Sequence, residues 1–429
     1  MNACEQSLAS APNHAPVRAL PEEPALADAP PRHAEGRAVD RWLLTRLHAL
    51  VGSPAIELAV RDGASITPTA AVARVTFANR AVLLSVLADH AVRFGDAYSN
   101  GDVTVEGDLV GFLEAVYRAG HASSERAPLL QRAAGALHRP QRNTLAGSRD
   151  NIHHHYDIGN DFYALWLGGT MAYTCAYYPT PTATLDEAQV AKMDHVCRKL
   201  RLRPGESVVE AGCGWGTLAL HMARRYGVRV RAFNISHQQV AYARERAARE
   251  GLAGSVEYVE DDYRNITGRY DAFVSVGMLE HVGAANYGTL GAVIQRALGD
   301  RGRGLIHSIG RNTPGQLQPW IQRRIFPGGF APTLGEMMRI FEPYNFSILD
   351  VENLRLHYAQ TLRHWLGLYE GACERVRARF DEKFVRMWRL YLAGSVAAFT
   401  TGSMQLFQVV FAPGTSNDIP WTRADLYTH

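Results

Sequence analysis

The run Ser207-Val-Val-Glu-Ala-Gly-Cys-Gly-Trp-Gly216 constrains this chain more than any other stretch. An apolar segment, SVVEAG, breaks into glycines and passes into a helical pattern, TLALHMARRYG. That order reads as strand, tight turn and helix, the opening of a nucleotide-binding α/β unit. Glycine at 212, 214 and 216 lets the backbone turn sharply and lets a ligand lie against bare main chain. The spacing alone is weak, because a turn without a ligand uses the same residues. The residues downstream strengthen it: the strand VRVRAFNIS, the helical HQQVAYARERAAREG, the strand SVEYV, Asp261-Asp262 and the strand YDAFVSVG.

The chain has 429 residues, so a second module is expected beside this unit. A hydrophobic content of 47% supports a packed core, and a net charge of +3 makes no demand for a nucleic-acid partner. Local basic patches remain able to meet anionic lipid. The five cysteines, at 4, 175, 197, 213 and 373, lack metal-ligand or disulfide spacing, which fits a reducing cytosol. No apolar run reaches 18 residues and no basic-then-apolar leader opens the chain, so a soluble or peripheral protein is expected.

Residues 1–38, rich in Ala, Pro, His and acidic residues, read as a disordered tail. Residues 39–128 read as a small α+β domain: DRWLLTRLHALVG is an amphipathic helix, IELAVRDG a strand, and ARVTFANRAVLLSVLADH passes from strand into helix. Nothing there is catalytic by its chemistry. Residues 129–150 are basic, end in loop-forming residues and read as a linker, solvated or laid on a lipid surface. The region from 151 to 429 carries the rest. It begins with His153-His154-His155 and an aromatic, hydroxyl-rich stretch to Tyr178. Adjacent histidines do not share a helix face and no second ligand cluster follows, so no metal site is expected.

The segments HYDIGNDFYALWL with MAYTCAYY, EAGCGWG, SVGMLEHVG, GLIHSIG, RRIFPGG and LHYAQTLRHW occur in that order from about residue 151 to the C-terminal end. Together they resemble the cyclopropane-fatty-acyl-phospholipid synthase family of S-adenosylmethionine-dependent class I methyltransferases. GDAYSNGDVTVEGDL is similar to the N-terminal domain of the longer bacterial members. The resemblance implies an α/β fold: a seven-stranded, Rossmann-like methyltransferase domain with an antiparallel last strand, preceded by a small α+β domain.

It also implies a reaction. The methyl of S-adenosylmethionine adds to a cis double bond of a phospholipid acyl chain, leaving a carbocation on the chain. Loss of a proton from the new methyl, taken by bound bicarbonate, closes a cyclopropane ring. An alkene is a poor nucleophile, so orientation must supply much of the rate, and water must be kept from the cation. The resemblance assigns the bicarbonate cage to Cys175, through backbone or thiol, to the Ile309 backbone, and to the His307 and Tyr358 side chains. Glu280 would position the anion, share its proton and orient His307. The cofactor positions are Gly212 and Gly214 at the methionine part, Asn234, Ile235 and Gln239 near the ribose, and Asp262-Tyr263 at the adenine. Tyr173 and Thr174 would close over the sulfonium and carboxylate. Two departures stand out: no acid ends the second strand, and Glu210 replaces the usual Asp at the end of the first.

The segment Gly315–Pro332 reads as a lid whose apolar side meets an acyl chain while Arg323 and Arg324 meet phosphate, against a bland alternative of a surface helix with a solvated basic pair. The Met, Phe and Trp stripe after 376 reads as core that also lines a lipid tunnel, and FQVVFAP as the final strand. A peripheral enzyme at the cytoplasmic face of the membrane and a homodimer through the N-terminal module are what the family suggests. Two rivals remain: the same fold making a methyl- or methylene-branched fatty acid or methylating a small natural product, and a non-catalytic lipid-binding protein.

Overall fold

The computed structural model describes residues 38–125 and 158–427. The stretch read as a linker and the three consecutive histidines lie outside the described residues, as does the tail up to residue 37.

The first module begins with helix α1 (Ala38–Leu50), followed by strands β1 (Glu57–Val60), β2 (Ser65–Ile66) and β3 (Ala73–Phe77), helices α2 (Arg80–Ala88) and α3 (His90–Asn100), strand β4 (Val103–Gly107) and helix α4 (Leu109–Glu125). Its sheet runs β2-β1-β3-β4, with β1 and β3 parallel and the other pairs antiparallel. Alternate residues of β3 (Ala73, Val75 and Phe77) are buried, the period-2 pattern of a sheet covered on one face.

The second sheet has seven strands: β5 (Ser207–Ala211), β6 (Arg229–Asn234), β7 (Val256–Glu260), β8 (Tyr270–Val276), β9 (Leu298–Gly310), β10 (Phe346–Asn353) and β11 (Gln405–Pro413). Their spatial order is β10-β11-β9-β8-β5-β6-β7. Strands β5 to β9 pair in parallel, and β11 runs antiparallel to both neighbours. This is the class I methyltransferase order, with the expected reversed last strand. Because β6 and β8 flank β5 on opposite sides, the order reverses at β5, and ligands of such sheets bind beside the strand C-termini at that point. The loops after β5, β8 and β9 open there.

The first module's sheet shares a continuous apolar core with the Arg355–Arg379 and Glu382–Thr400 helices. Arg386, on the Glu382–Thr400 helix, donates to the Tyr98 and Val103 carbonyls at 2.7 and 3.0 Å and covers the Tyr98 ring. The Pro319–Arg324 helix docks its buried Trp320 over Gly95 of α3, where a Cβ would come within 2.5 Å of the indole. Arg324 forms a two-point ion pair with Asp96, 2.9 Å on each arm. The lid reading therefore needs correcting for Arg324: its guanidinium is bonded to the first module. Of the Met, Phe and Trp stripe, Phe399 and Met404 line an internal cavity, with Leu390, Tyr391 and Ala398 beside them.

Candidate active site

A glycine turn at the end of β5 opens the site. Gly214 has φ +52° and nothing within 4 Å of where a Cβ would stand, so its bare backbone faces open space. Gly216 differs: with φ +79°, a Cβ there would overlap the Tyr258 hydroxyl, which donates to the Gly216 carbonyl at 2.8 Å. Gly212 packs under Met278, whose Cβ would lie 2.8 Å from an added Cβ. One glycine faces open space, then, while the other two permit close packing.

Beyond β6, Asn234 donates through Nδ2 to the Gly214 carbonyl at 3.1 Å and to Gln239 Oε1 at 2.8 Å, while its Oδ1 accepts from the Ser236 amide. Asn234 thus ties the glycine loop to the helix His237–Arg249, whose first turn holds Gln239. Half-buried Ile235 lies between β6 and that helix, just before its cap Ser236. After β7, Asp262 Oδ1 accepts from the Arg264 amide and Nε, both at 2.9 Å, and Tyr263 lies buried behind it. Asn234, Ile235, Gln239, Asp262 and Tyr263 therefore stand along the C-terminal ends of β6 and β7. They do not line the large internal cavity.

That cavity, of about 860 Å³, is lined by Tyr173, Thr174, Cys175, Glu280, His307, Ile309 and Tyr358 together. Glu280 sits on the short Leu279–Val282 helix after β8, His307 and Ile309 near the end of β9, and Tyr358 in the first turn of the Arg355–Arg379 helix. The opposite wall comes from the first module, including Leu47, Phe77, Phe94, Phe112 and Val116. The first module looked chemically inert because its contribution is mostly apolar surface.

Glu280 Oε1 accepts from the Ile309 amide at 2.6 Å, and Glu280 Oε2 is buried without a partner. Burial pushes its carboxyl up to about 7, opposed by the Ile309 bond. His307 Nδ1 pairs with Gln408 Nε2 at 3.0 Å, leaving Nε2 buried and unpartnered. Burial, with help from Lys192 and Lys199, lowers His307 to about 3, so the ring is neutral. With Gln408 donating to Nδ1, the ring proton stands on Nε2. Two expected roles change accordingly. The Ile309 amide donates to Glu280, and Gln408, opposite His307 in the β9–β11 register, is what orients the histidine. The Cys175 thiol is buried, 3.1 Å from the Ala176 carbonyl, and burial drives its pKa far up, so it is no thiolate.

The loop holding Tyr173 and Thr174 is fixed from behind. A Thr184–Glu187 capping box starts the helix Leu185–Lys199. That helix sends Gln189 Nε2 to the Thr174 carbonyl and Lys192 Nζ to Thr174 Oγ1, both at 2.8 Å. Tyr173 shares a hydroxyl bond of 2.7 Å with Tyr391. Glu210 is buried, with Oε2 unpartnered; burial raises its carboxyl to about 8, and the nearby Lys192 partly opposes this. Gln189, Lys192 and Gln408 were missed because each is one polar residue in an otherwise unremarkable segment. For Gln408 a signal existed, an amide in the middle of the apolar strand QLFQVVFAP. No group of three or more metal-ligating side chains occurs among the described residues.

A family model, mycolic acid cyclopropane synthetase, matches residues 144–409. A probable fatty acid methyltransferase of Pseudomonas putida is 37% identical over 352 residues, 78% of this chain and 86% of its own. The cyclopropane-fatty-acyl-phospholipid synthase of Escherichia coli K12 is 36% identical over 370 residues, 85% of this chain and 94% of its own. Among solved structures, mycolic acid cyclopropane synthase CmaA1 complexed with SAH and CTAB is 27% identical with a TM-score of 0.59, covering 61% of this chain and 97% of that one.

Proposed function

The chain belongs to the cyclopropane synthetase family of S-adenosylmethionine-dependent methyltransferases, and from that premise we propose that it methylates a cis double bond in a phospholipid acyl chain and closes a cyclopropane ring. It works as a peripheral protein at the inner face of the cytoplasmic membrane, as a homodimer. No helix among the described residues is long and apolar enough to cross a membrane.

One observation carries the reading. Two buried, unpartnered polar atoms, Glu280 Oε2 and His307 Nε2, belong to residues that line a cavity that is otherwise mostly apolar. Buried polar atoms in native proteins have partners, so a small polar species belongs there, beside an apolar chain. Bicarbonate fits these groups: it would accept from His307 Nε2 and share a proton with Glu280 Oε2, with Cys175 and Tyr358 completing its surroundings, and it would supply the base. S-adenosylmethionine would supply the methyl group from a position against Gly214, with Gly212, Tyr173, Thr174, Asn234, Ile235, Gln239, Asp262 and Tyr263 around it.

The chain's own residues account for the remaining demands. The apolar wall orients the alkene and keeps water from the carbocation. Gln408, bonded to His307 Nδ1, keeps the ring proton on Nε2. Glu280, with a carboxyl near 7, gives up or takes a proton at little cost around neutral pH.

A second ending is favoured by two relatives, the P. putida protein and a tuberculostearic acid methyltransferase of Mycobacterium tuberculosis, 35% identical over 333 residues. Both names point to methylated fatty acids rather than rings. Purified protein incubated with cis-unsaturated phospholipid vesicles and methyl-labelled S-adenosylmethionine separates the outcomes. A gain of one CH2 with cyclopropane ring protons by NMR supports the proposal. Label without ring protons supports the branched ending, and no label despite cofactor binding removes the phospholipid as acceptor.

A further inference from the structure

Charge is distributed unevenly around the cavity. Among the described residues lining it, Arg311 is the one Lys or Arg and Glu280 the one Asp or Glu. Glu280 has its place beside His307; Arg311 has no task in the proposed chemistry. Its backbone continues β9, bridged to Thr333 and donating to the Pro332 carbonyl at 2.9 Å. Side chains alternate along a strand, so His307, Ile309 and Arg311 share one face, with Arg311 roughly 7 Å beyond Ile309. It stands away from the catalytic pair, toward one end of the wall.

The guanidinium is half-buried, and burial lowers its pKa. Nη1 donates to the Gln316 carbonyl at 2.6 Å, and Arg311 has no carboxylate within 4 Å among the described residues. Glu336 influences it from farther off, but that carboxylate already accepts the Thr333 amide at 2.8 Å as a helix cap. Tyr117, reaching in from α4 of the first module, lines the same cavity near enough for Arg311 to lower its phenol's pKa against a larger rise from burial. Among the described residues the Arg311 side chain bonds to the Gln316 carbonyl alone, which leaves guanidinium donors for an anion. Of the two arginines that the sequence offered for phosphate, Arg324 is bonded to Asp96 and Arg323 does not line this cavity.

We propose that Arg311, assisted by the Tyr117 hydroxyl, is the subsite for the oxyanion head of the acyl substrate, the phosphodiester of a phospholipid under the reading proposed for the reaction. The first module then helps to recognise the headgroup as well as walling the chain. This inference rests on an acyl substrate occupying the cavity.

The test uses full-length protein and three probes with the same cis-unsaturated chain: oleyl phosphate, oleate and oleyl alcohol, their binding followed by tryptophan fluorescence. Wild type should prefer oleyl phosphate to the alcohol by roughly tenfold or more, the scale of a charge-assisted arginine contact. In Arg311→Ala that ratio should fall toward one, Arg311→Lys should keep part of it, and Tyr117→Phe should lower it less. An Arg311-dependent preference for oleate instead would keep the subsite and make its natural occupant a carboxylate. A ratio that survives in Arg311→Ala, whether or not overall affinity drops, overturns the proposal. Methyl transfer to cis-unsaturated phospholipid vesicles is scored separately. A collapsed ratio without that transfer sinks the proposed reaction and keeps the subsite; transfer with an intact ratio does the reverse.

Discussion

Glu280→Gln separates the electrostatics of the site from its packing. The residue is buried, Oε1 accepts the Ile309 amide, and Oε2 has no partner. Burial raises the carboxyl from 4.5 to about 7. A raised carboxyl pKa means that the folded state holds the proton more tightly than the unfolded state. Stability is therefore unaffected below about pH 4.5, falls as pH rises toward 7, and is flat above. The full cost of ionisation is about 3 kcal/mol, most of which accrues between pH 5 and 8. A glutamine keeps the acceptor for Ile309 and cannot ionise, so it escapes this cost. Whatever else the amide changes is the same at every pH and cancels in the comparison. The melting-temperature difference, variant minus wild type, should thus grow by about 3 °C between pH 5 and pH 8, using the usual unfolding entropy per residue. Turnover should fall at least about a hundredfold, while S-adenosylhomocysteine affinity stays near wild type. A melting difference that is flat with pH would refute the buried-carboxyl account, and equal loss of turnover and cofactor affinity would refute the role assigned to it.

Three further perturbations address the neighbouring parts. Gly216→Ala should lower the melting temperature by several degrees, because its Cβ meets Tyr258, whereas Gly214→Ala should cost about 1 kcal/mol of backbone strain and act mainly on cofactor affinity, read by calorimetry. Gln408→Leu frees the His307 tautomer and should reduce kcat by about ten- to a hundredfold with little change in KM for cofactor, a loss on the scale seen when a ligand's orienting partner is removed. Gly95→Val forces Trp320 away from α3 and should abolish lipid methylation while leaving S-adenosylhomocysteine binding intact; parallel loss of both would deny the first module a place in the acyl wall.

The seven-stranded sheet was legible because its strands are buried on both faces and read as apolar runs, such as YDAFVSV, joined by helical periods. The glycine turn was legible as a turn, but its division of labour was not. GxGxG spacing cannot say that Gly216 serves Tyr258 while Gly214 faces open space, since Tyr258 lies 42 residues away in sequence. The grouping of Cys175, Glu280, His307, Ile309 and Tyr358 came from the resemblance of the motifs, and the structure places all five in one cavity wall. Their bonding was not readable. Which acceptor the Ile309 amide finds, and which residue faces His307, depends on the β9–β11 register, and register is a tertiary property.

The first module shows why chemistry-bearing motifs mislead about where a site ends. Its helices and strands supply hydrocarbon to the cavity, and hydrocarbon has no motif: Phe94 and Phe112 are as plausible in any small core as in a substrate wall. Physical demands on the proposed reaction nevertheless require such a wall. A carbocation on an acyl chain survives to lose the right proton only if water is excluded along the chain, and the methyltransferase sheet presents its strand ends on one side alone. Something must cover the other side. Here Trp320 over Gly95, Arg324 on Asp96 and Arg386 on the Tyr98 carbonyl fix that cover in place. A catalytic half separated from the first module should accordingly bind cofactor and fail on long acyl chains, because half of its solvent shield would be gone.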